Sequence, residues 1–351
     1  MARSAFIFSC KPESADLCLN EFRKSGLDLR FHRWLDPGTG IVSSKNDREE
    51  VAGALQAKPP VFLLHIFPWE YSVIWGGLAT EAPHLDGTGV HRGELPDILA
   101  EIAERMNDQL SFSVQMGRVH RQELRDDPRK DIRDYLLSKG FSQNMRQPDQ
   151  VVSVYHSEGL LYIGLSAAKD NISSWFGGKV AYAVREDTVS RSEFKLLEAI
   201  DHFGLHLPAT GPVVDFGAAP GGWSKVMLDR GLEVIAVDPG DMAETIRRHP
   251  QLQHYRGTAQ QFIRSYKGEI SLLLNDMRLD VEESVQICLD TAPLVKPGAL
   301  LIMSFKLPGN QKTSVITAGR KALSTAYEIL YVKELFHNRS EVTVIGKRID
   351  N

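Results

Sequence analysis

The segment Asp215-Phe216-Gly217-Ala218-Ala219-Pro220-Gly221-Gly222-Trp223-Ser224 lies between the apolar run Pro212-Val213-Val214 and the helical pattern Lys225-Val226-Met227-Leu228. That order dictates a strand, a tight glycine turn and a helix start. Small residues let a ligand come close to the backbone, and N–H groups at a helix start hold negative charge. The next apolar run, Val234-Ile235-Ala236-Val237, ends in Asp238. It lies about twenty residues on, where an α/β nucleotide site sets the acid that accepts hydrogen bonds from a ribose diol. A glycine turn alone says little. Gly217, Gly221 and Gly222 coinciding with Pro220 and a strand-end acid say much more, and a bulky residue at Gly221 is expected to block the approach of a ligand to the backbone.

A chain of 351 residues implies two domains or more. In its C-terminal half, short apolar runs alternate with amphipathic stretches, the mark of a parallel sheet with crossover helices. Strands are expected at 213–216, 233–237, 254–257, 270–274, 299–305, 329–333 and 342–347, and helices at 223–230, 242–248, 259–266, 283–294 and 314–327. The link 334–340 is too short for a crossover helix, so the last two strands pair antiparallel. An α/β, Rossmann-like domain of seven mostly parallel strands with an antiparallel last strand is the plan of S-adenosylmethionine-dependent methyltransferases rather than of dehydrogenases.

The N-terminal half has no glycine-rich turn. Strands at 5–10, 29–34, 40–42 and 61–66 with helices at 14–25 and 49–55 suggest a small α+β sandwich. A second unit follows, with helices at 95–106 and 129–139, a strand at 111–115, and a hairpin of 151–156 and 160–166 around Ser157-Glu158-Gly159. A glycine-containing, mostly polar stretch at 77–93 and a polar run at 185–192 set the expected domains at 1–90, 91–185 and 186–351.

A net charge of −4 argues against a broad basic surface, so nucleic-acid binding has to rest on local clusters. Arg118, Arg121 and Arg125 would share a face if their segment were helical, although Glu123, Asp126 and Asp127 interrupt it. Trp175-Phe176-Gly177-Gly178 reads first as a packed edge, with stacking on RNA as its other reading. Cys10, Cys18 and Cys288 have no ligand-like spacing, nor do the histidines, so no metal is assigned. Without a long apolar stretch, a cytoplasmic protein with no membrane span is expected.

Four ionisable residues stand where a methyl-transfer site needs them. Lys195 lies on a helix leading into the first strand of the domain, and Asp276 follows Leu272-Leu273-Leu274-Asn275 at the end of the fourth. Lys306 ends the run Leu300-Leu301-Ile302-Met303-Ser304-Phe305, and Glu341 opens the last strand ahead of Val342-Thr343-Val344. Ligands bind beyond the carboxyl ends of parallel strands, and an antiparallel last strand starts at that same edge. Asp276, Lys306 and Glu341 therefore meet on one rim.

The glycine turn and these contexts resemble the FtsJ-like family of RNA ribose 2'-O-methyltransferases. Within it, Ser190-Arg191-Ser192, Lys306-Leu307-Pro308 and Arg339-Ser340-Glu341-Val342-Thr343-Val344 are most similar to the RlmM branch, which methylates a cytidine of large-subunit ribosomal RNA. The resemblance implies that Lys195, Asp276, Lys306 and Glu341 are the catalytic Lys-Asp-Lys-Glu tetrad. It implies S-adenosylmethionine as cofactor, held by Asp215, Gly217, Ala218, Ala219, Pro220, Gly221, Gly222, Trp223, Asp238, Thr258 and Asp276. It further implies RNA as partner, and ferredoxin-like and THUMP-like RNA-binding parts in the N-terminal half. Asn275-Asp276-Met277-Arg278-Leu279 lacks the Ala-Pro that follows Asp-Met in founding members, so the RNA, ribosomal or transfer, stays open.

The chemistry is consistent with those residues. A ribose hydroxyl must lose or share its proton to attack a sulfonium methyl. A lysine can be the base only when neutral, so Lys306 is expected to be lowered by burial and by the like charge of Lys195, against the pull of Asp276 and Glu341. Amino-group methylation would need an Asn/Asp-Pro-Pro-aromatic segment, which Asn275-Asp276-Met277-Arg278 is not. Carbon-5 cytosine methylation would need a placed cysteine nucleophile. A catalytically silent RNA-binding protein is the remaining class, and the complete tetrad argues against it.

Overall fold

In the computed structural model, which describes residues 3–75, 85, 87–118, 127–309 and 312–350, the apolar runs assemble into three sheets. The chain divides into two compact units, Met1–Lys179 and Val180–Asn351.

The first unit begins β1 (Ser4–Cys10), α1 (Ala15–Lys24), β2 (Arg30–Asp36), β3 (Thr39–Ser44), α2 (Arg48–Ala57), β4 (Leu63–Pro68). These strands form an antiparallel sheet in the order β2-β3-β1-β4. Helix α2 starts where Asp47 and Glu50 cap each other's backbone N–H groups. Then come β5 (Tyr71–Ile74), β6 (His91–Arg92), α3 (Leu95–Arg105), β7 (Phe112–Arg118), α4 (Pro128–Ser138), β8 (Gln150–Ser157) and β9 (Leu160–Ala167), in the order β6-β5-β9-β8-β7. The expected hairpin is β8–β9. Its two turn residues, Glu158 (φ 54°) and Gly159 (φ 75°), are both left-handed, the turn that matches strand twist.

Period-two alternation gives β8 and β9 two buried faces. Val152, Val154, Leu161 and Ile163 pack on Ile98, Ile102, Ile132 and Leu136 of α3 and α4. Tyr155, Leu160 and Tyr162 face the other way and join Ile7, Ile41 and Phe67 of the first sheet. The division expected near residue 90 therefore does not fall between the sheets: β5 precedes it yet pairs with β9. Glu70, just before β5, accepts from Leu165 N (2.8 Å) and pairs with Arg48 of α2 and Arg105 of α3. Strands β5 and β6 went unread because four and two residues carry no legible period. The unit boundary, after Lys179, also comes earlier than 185. The side chain of Arg118, with His120, Arg121, Glu123, Arg125 and Asp126, lies outside the described residues, so the proposed basic stripe does too.

The second unit contains α5 (Ser192–Phe203), β10 (Val213–Phe216), α6 (Gly222–Leu228), β11 (Val234–Val237), β12 (Leu252–Tyr255), α7 (Ala259–Ser265), β13 (Ile270–Asn275), α8 (Val281–Thr291), β14 (Val295–Lys306), α9 (Lys312–Leu323), β15 (Tyr327–Lys333) and β16 (Glu341–Arg348). Its sheet runs β12-β11-β10-β13-β14-β16-β15, with β16 antiparallel to both neighbours. This is the α/β, mostly parallel seven-stranded plan. The order reverses between β10 and β13, which creates a crevice at their carboxyl ends. One expected element is absent: 242–248 forms turns rather than a helix. The connection is squeezed between Pro239-Gly240 and Pro250, and Met242 and Ile246 still reach the core.

Strand β9 passes so close to the first sheet that a Cβ on Gly164 would fall 1.7 Å from the Pro68 carbonyl oxygen. Gly164→Ala should cost at least about 1–3 kcal/mol, read as a lower urea midpoint. Gly93→Ala, where the nearest atom is 3.5 Å away, should leave the midpoint nearly unchanged. Equal midpoints for the two variants would refute this packing.

Candidate active site

The parallel strands β10 and β13 end side by side, with Phe216 opposite Asn275. Asn275 is fully buried; its amide donates to Ser284 Oγ (3.1 Å), and its carbonyl accepts from Met277 N (3.2 Å). That bracket sets the turn carrying Asp276, whose own N–H donates to Phe216 O (3.2 Å). Across the sheet, the antiparallel ladder of β14 and β16 places Lys306 directly opposite Glu341. Lys195 enters from the first turn of α5.

All four side chains meet, one more than strand-end logic alone collects. Lys195 Nζ lies 2.7 Å from Asp276 Oδ2 and 3.0 Å from Glu341 Oε1. Lys306 Nζ lies 2.5 Å from Asp276 Oδ1 and also pairs with Glu341 Oε2. Each lysine thus bridges both acids, closing a ring of alternating charge whose side chains are only 4–25% exposed. Burial pushes the Asp276 carboxyl up, but Lys306 and Lys195 outweigh it and hold it below the ordinary value. Burial likewise pulls Lys306 down, and Asp276 and Glu341 outweigh it and raise Lys306 instead. This corrects the expected lowering of Lys306: both of its close neighbours are carboxylates, and Lys195 spends its charge on the same two acids.

A cavity of about 1080 Å³ joins this ring to the glycine turn. Asp215, Gly217, Ala218, Ala219, Pro220, Trp223, Asp238, Thr258 and Asp276 all line it. Gly221 and Gly222 do not, and their lack of side chains serves packing. A Cβ on Gly221 (φ 112°) would fall 2.2 Å from Ile246 Cδ1 and 2.8 Å from Met242 Cε. The expectation that bulk at Gly221 obstructs a ligand is therefore wrong, because that direction points into the core. At Gly222 a Cβ would strike Ser192 Oγ and Ser190 Oγ at 2.2 and 2.3 Å. Its absence lets Ser190-Arg191-Ser192 lie on the helix start, where Trp223 Nε1 donates to Ser192 O (2.9 Å). Gly217 admits the Met277 backbone, with its Cα 2.9 Å from where a Cβ would be.

Asp238 accepts from Ala219 N (3.2 Å) and Gly240 N (2.7 Å), so its carboxylate braces the turn at the cavity wall. Thr258 caps α7 reciprocally with Gln261. Asp215 is fully buried: Oδ2 accepts from Ser224 Oγ (2.7 Å), and Oδ1 has no partner among the described residues. Burial pushes its carboxyl up to about 7, with Ser224 opposing and Asp276 and Asp238 adding to the rise. A cavity walled by backbone at Gly217–Pro220, two strand-end acids and an orphaned carboxylate oxygen fits a cofactor with both a ribose diol and a cationic end. Cys288 is buried, with its thiol pushed up to about 12, so it is no nucleophile.

Sequence reasoning passed over His337 and Glu198. Buried Glu198 accepts from Phe336 N, His337 N and His337 Nδ1 at 2.7–2.8 Å, pinning the β15–β16 connection just ahead of Glu341. Glu198 follows Lys195 by one helical turn, which was the available signal. Arg191, Arg278, His337 and Arg339 line the cavity as well.

The family model for FtsJ-like methyltransferase matches residues 188–336. Proteins named ribosomal RNA large subunit methyltransferase M are similar over more of the chain. That of Shewanella pealeana is 30% identical over 279 residues, covering 73% of this chain and 70% of that protein. That of Pseudoalteromonas translucida is 30% identical over 217 residues, 57% of this chain and 59% of that protein. That of Shewanella sp. strain ANA-3 is 32% identical over 239 residues, 61% and 62%. The chain thus spans about three fifths of the length of the latter two relatives.

Gly221→Ala should lower the thermal midpoint by several degrees through strain and overlap, and adding Ile246→Ala should recover part of the loss in a double-mutant cycle. Additive effects would remove the Ile246 contact as the cause. For Asp215, the unfolded chain ionises near 3.9 and the native chain near 7. Between these values the native state binds the extra proton, so stability falls as pH rises from about 4 to about 7, by on the order of 4 kcal/mol. Urea unfolding of the protein and of Asp215→Asn at pH 5 and pH 8 checks this. The variant should lose that slope, and identical pH dependence would contradict the assignment.

Proposed function

The chain belongs to the family of the ribosomal RNA large subunit methyltransferase M proteins, within the FtsJ-like methyltransferases, and from that membership we propose that it methylates a ribose 2'-hydroxyl of RNA, with ribosomal RNA the favoured substrate. The observation that carries the proposal is the closed Lys195-Asp276-Lys306-Glu341 ring opening into the same cavity as the glycine turn.

In this reading the backbone at Gly217, Ala218, Ala219 and Pro220, with Trp223, Asp215, Asp238 and Thr258, holds S-adenosylmethionine. Bound there, the cofactor supplies an electrophilic methyl group. Gly221 and Gly222 contribute by shaping the turn. The residues of the chain then have to present one oxygen and remove one proton. Lys306, at the exposed side of the ring, orients the hydroxyl and accepts its proton in its neutral form. Asp276 and Glu341 hold the two ammonium groups apart from each other, and Lys195 balances their charge. Arg191, Arg278 and Arg339 around the cavity are placed to take phosphates flanking the target nucleotide.

The N-terminal unit is the RNA-docking part of the proposal. Its first sheet has β-α-β-β-α-β connectivity, the ferredoxin-like order, and its second is the THUMP-like part. The two sheets share the unit Met1–Lys179, ahead of the methyltransferase unit Val180–Asn351.

Lys306→Ala should lose roughly 10²–10⁴-fold in single-turnover methyl transfer with cofactor affinity nearly intact. Lys306→Arg should fail too, since a guanidinium stays protonated. Because the carboxylates raise Lys306 above its ordinary value, its neutral form is scarce at pH 7. The single-turnover rate should therefore climb about tenfold per pH unit from pH 7 to pH 9. A flat profile, or an active Lys306→Arg, would reduce Lys306 to an orienting role. Nuclease digestion of RNA carrying a labelled methyl group decides the rest: label on a base would overturn ribose methylation.

A further inference from the structure

The first unit contains its own cavity, about 370 Å³, between its two sheets. That volume lies within the 300–1,000 Å³ range of small-ligand sites. It is built around the segment Trp175-Phe176-Gly177-Gly178, whose two aromatic rings behave oppositely. Phe176 is the packing residue: it stacks on Tyr155 (centroids 6.2 Å apart, planes 8°) and lies 5.6 Å from Phe67. Gly117 leaves room for it, since a Cβ there would fall 2.0 Å from Phe176 Cε1. Trp175 lines the same cavity yet remains 43% exposed.

Trp175 is also held in place. Both sheets pin its segment: Ser9 Oγ of β1 donates to Gly177 O, and Gln115 Nε2 of β7 donates to Ser174 O, each at 2.9 Å. Gly177 and Gly178 take φ of 62° and 67°, and Gly178 N donates back to Trp175 O (2.9 Å). An exposed indole on a rigid turn offers a stacking face at little ordering cost.

The charged groups of the cavity are of one sign. Lys179 and Arg129 line it, and no Asp or Glu does among the described residues. Asp127 grips the Nε and Nη2 edge of Arg129, leaving Nη1 to donate elsewhere. Lys179 has no ion-pair partner among the described residues. Tyr155, 96% buried, lines this cavity too, and its hydroxyl has no hydrogen-bond partner among the described residues. In a chain of net charge −4, a stacking ring, two cations and an unsatisfied hydroxyl around one cavity specify a ligand that is planar, anionic and hydrogen-bonding.

We propose that this cavity binds one nucleotide of single-stranded RNA, its base on Trp175, its phosphate at Lys179 and Arg129, and a polar edge at Tyr155. A duplex hides both faces of each base, so the site selects unpaired RNA. The proposal rests on the RNA-docking role given above to the first unit and adds its point of attachment.

The test uses the full chain, titrated with a mixed-sequence single-stranded oligoribonucleotide of about twelve nucleotides, a length within the site sizes of single-strand binders. Trp175→Ala should weaken binding roughly tenfold or more, the worth of one stacked base, and Trp175→Phe should recover most of it. Lys179→Gln should reduce the slope of log affinity against log salt by about 0.7, one phosphate contact on a single strand. Calorimetric binding of S-adenosylmethionine should be the same in all three. Wild-type affinity and slope in both Trp175→Ala and Lys179→Gln would overturn the proposal even with methyl transfer intact. Equal competition by duplex RNA, or by adenosine monophosphate alone, would overturn it as well. If the unsubstituted chain bound no RNA, this site and the docking role would fall together. Loss of methyl transfer with Trp175-dependent RNA binding preserved would overturn only the catalytic reading.

Discussion

Four charges in a closed ring organise the second unit. Lys195, Asp276, Lys306 and Glu341 alternate in sign, each touching both opposite partners. Little water reaches them, so no member is stable alone: removing one strands a buried charge, a loss of about 3–5 kcal/mol. The ring also sets its own chemistry. Because every cation is shared by two anions, Lys306 rises and Asp276 falls relative to their ordinary values, despite burial that works against both. At rest the arrangement is saturated, and any further partner of Lys306 has to compete with two carboxylates.

Each member comes from a different element, so the ring constrains the whole sheet. The β14–β16 ladder makes Lys306 and Glu341 register partners; a slip of one residue would turn them to opposite faces. Asn275 holds the Asp276 turn from below, and Gly217 lets that turn lie against the cofactor-side loop. Gly222 lets Ser190-Arg191-Ser192 settle on the start of α6, immediately ahead of the α5 turn that carries Lys195. Glu198, one helical turn beyond Lys195, grips the β15–β16 connection. Helix α5 therefore supplies one charge and positions another. The glycines act mostly through what packs against them, and only some of them face the cavity.

Much of this was legible in the linear order. Apolar runs of four to seven residues marked β10, β11, β13 and β16 closely, because strands buried on both faces are continuously hydrophobic. The short 334–340 link dictated the antiparallel pairing of β15 with β16. Residue type and position at strand ends marked Asp276, Lys306 and Glu341, since the carboxyl edge of such a sheet is where ligands bind. The helix at 242–248 was misread: its apolar spacing is real, and Met242 and Ile246 are buried, but the segment reaches the core through turns. Strands β5 and β6 were invisible, being too short to show a period.

The sequence by itself determined the kind of unit, the order of its elements and the residue types at its rim, because these follow from periodicity, link length and turn chemistry, which are local. Tertiary structure alone decided which side each side chain faces and whom it meets. Gly221 turned out to accommodate Ile246 and Met242 rather than a ligand, and Lys306 turned out raised rather than lowered. Trp175 and Phe176, adjacent and chemically alike, went one outward and one inward. Such outcomes depend on distances between residues far apart in the chain, and the balance of burial, charge and packing contributions shifts with those distances.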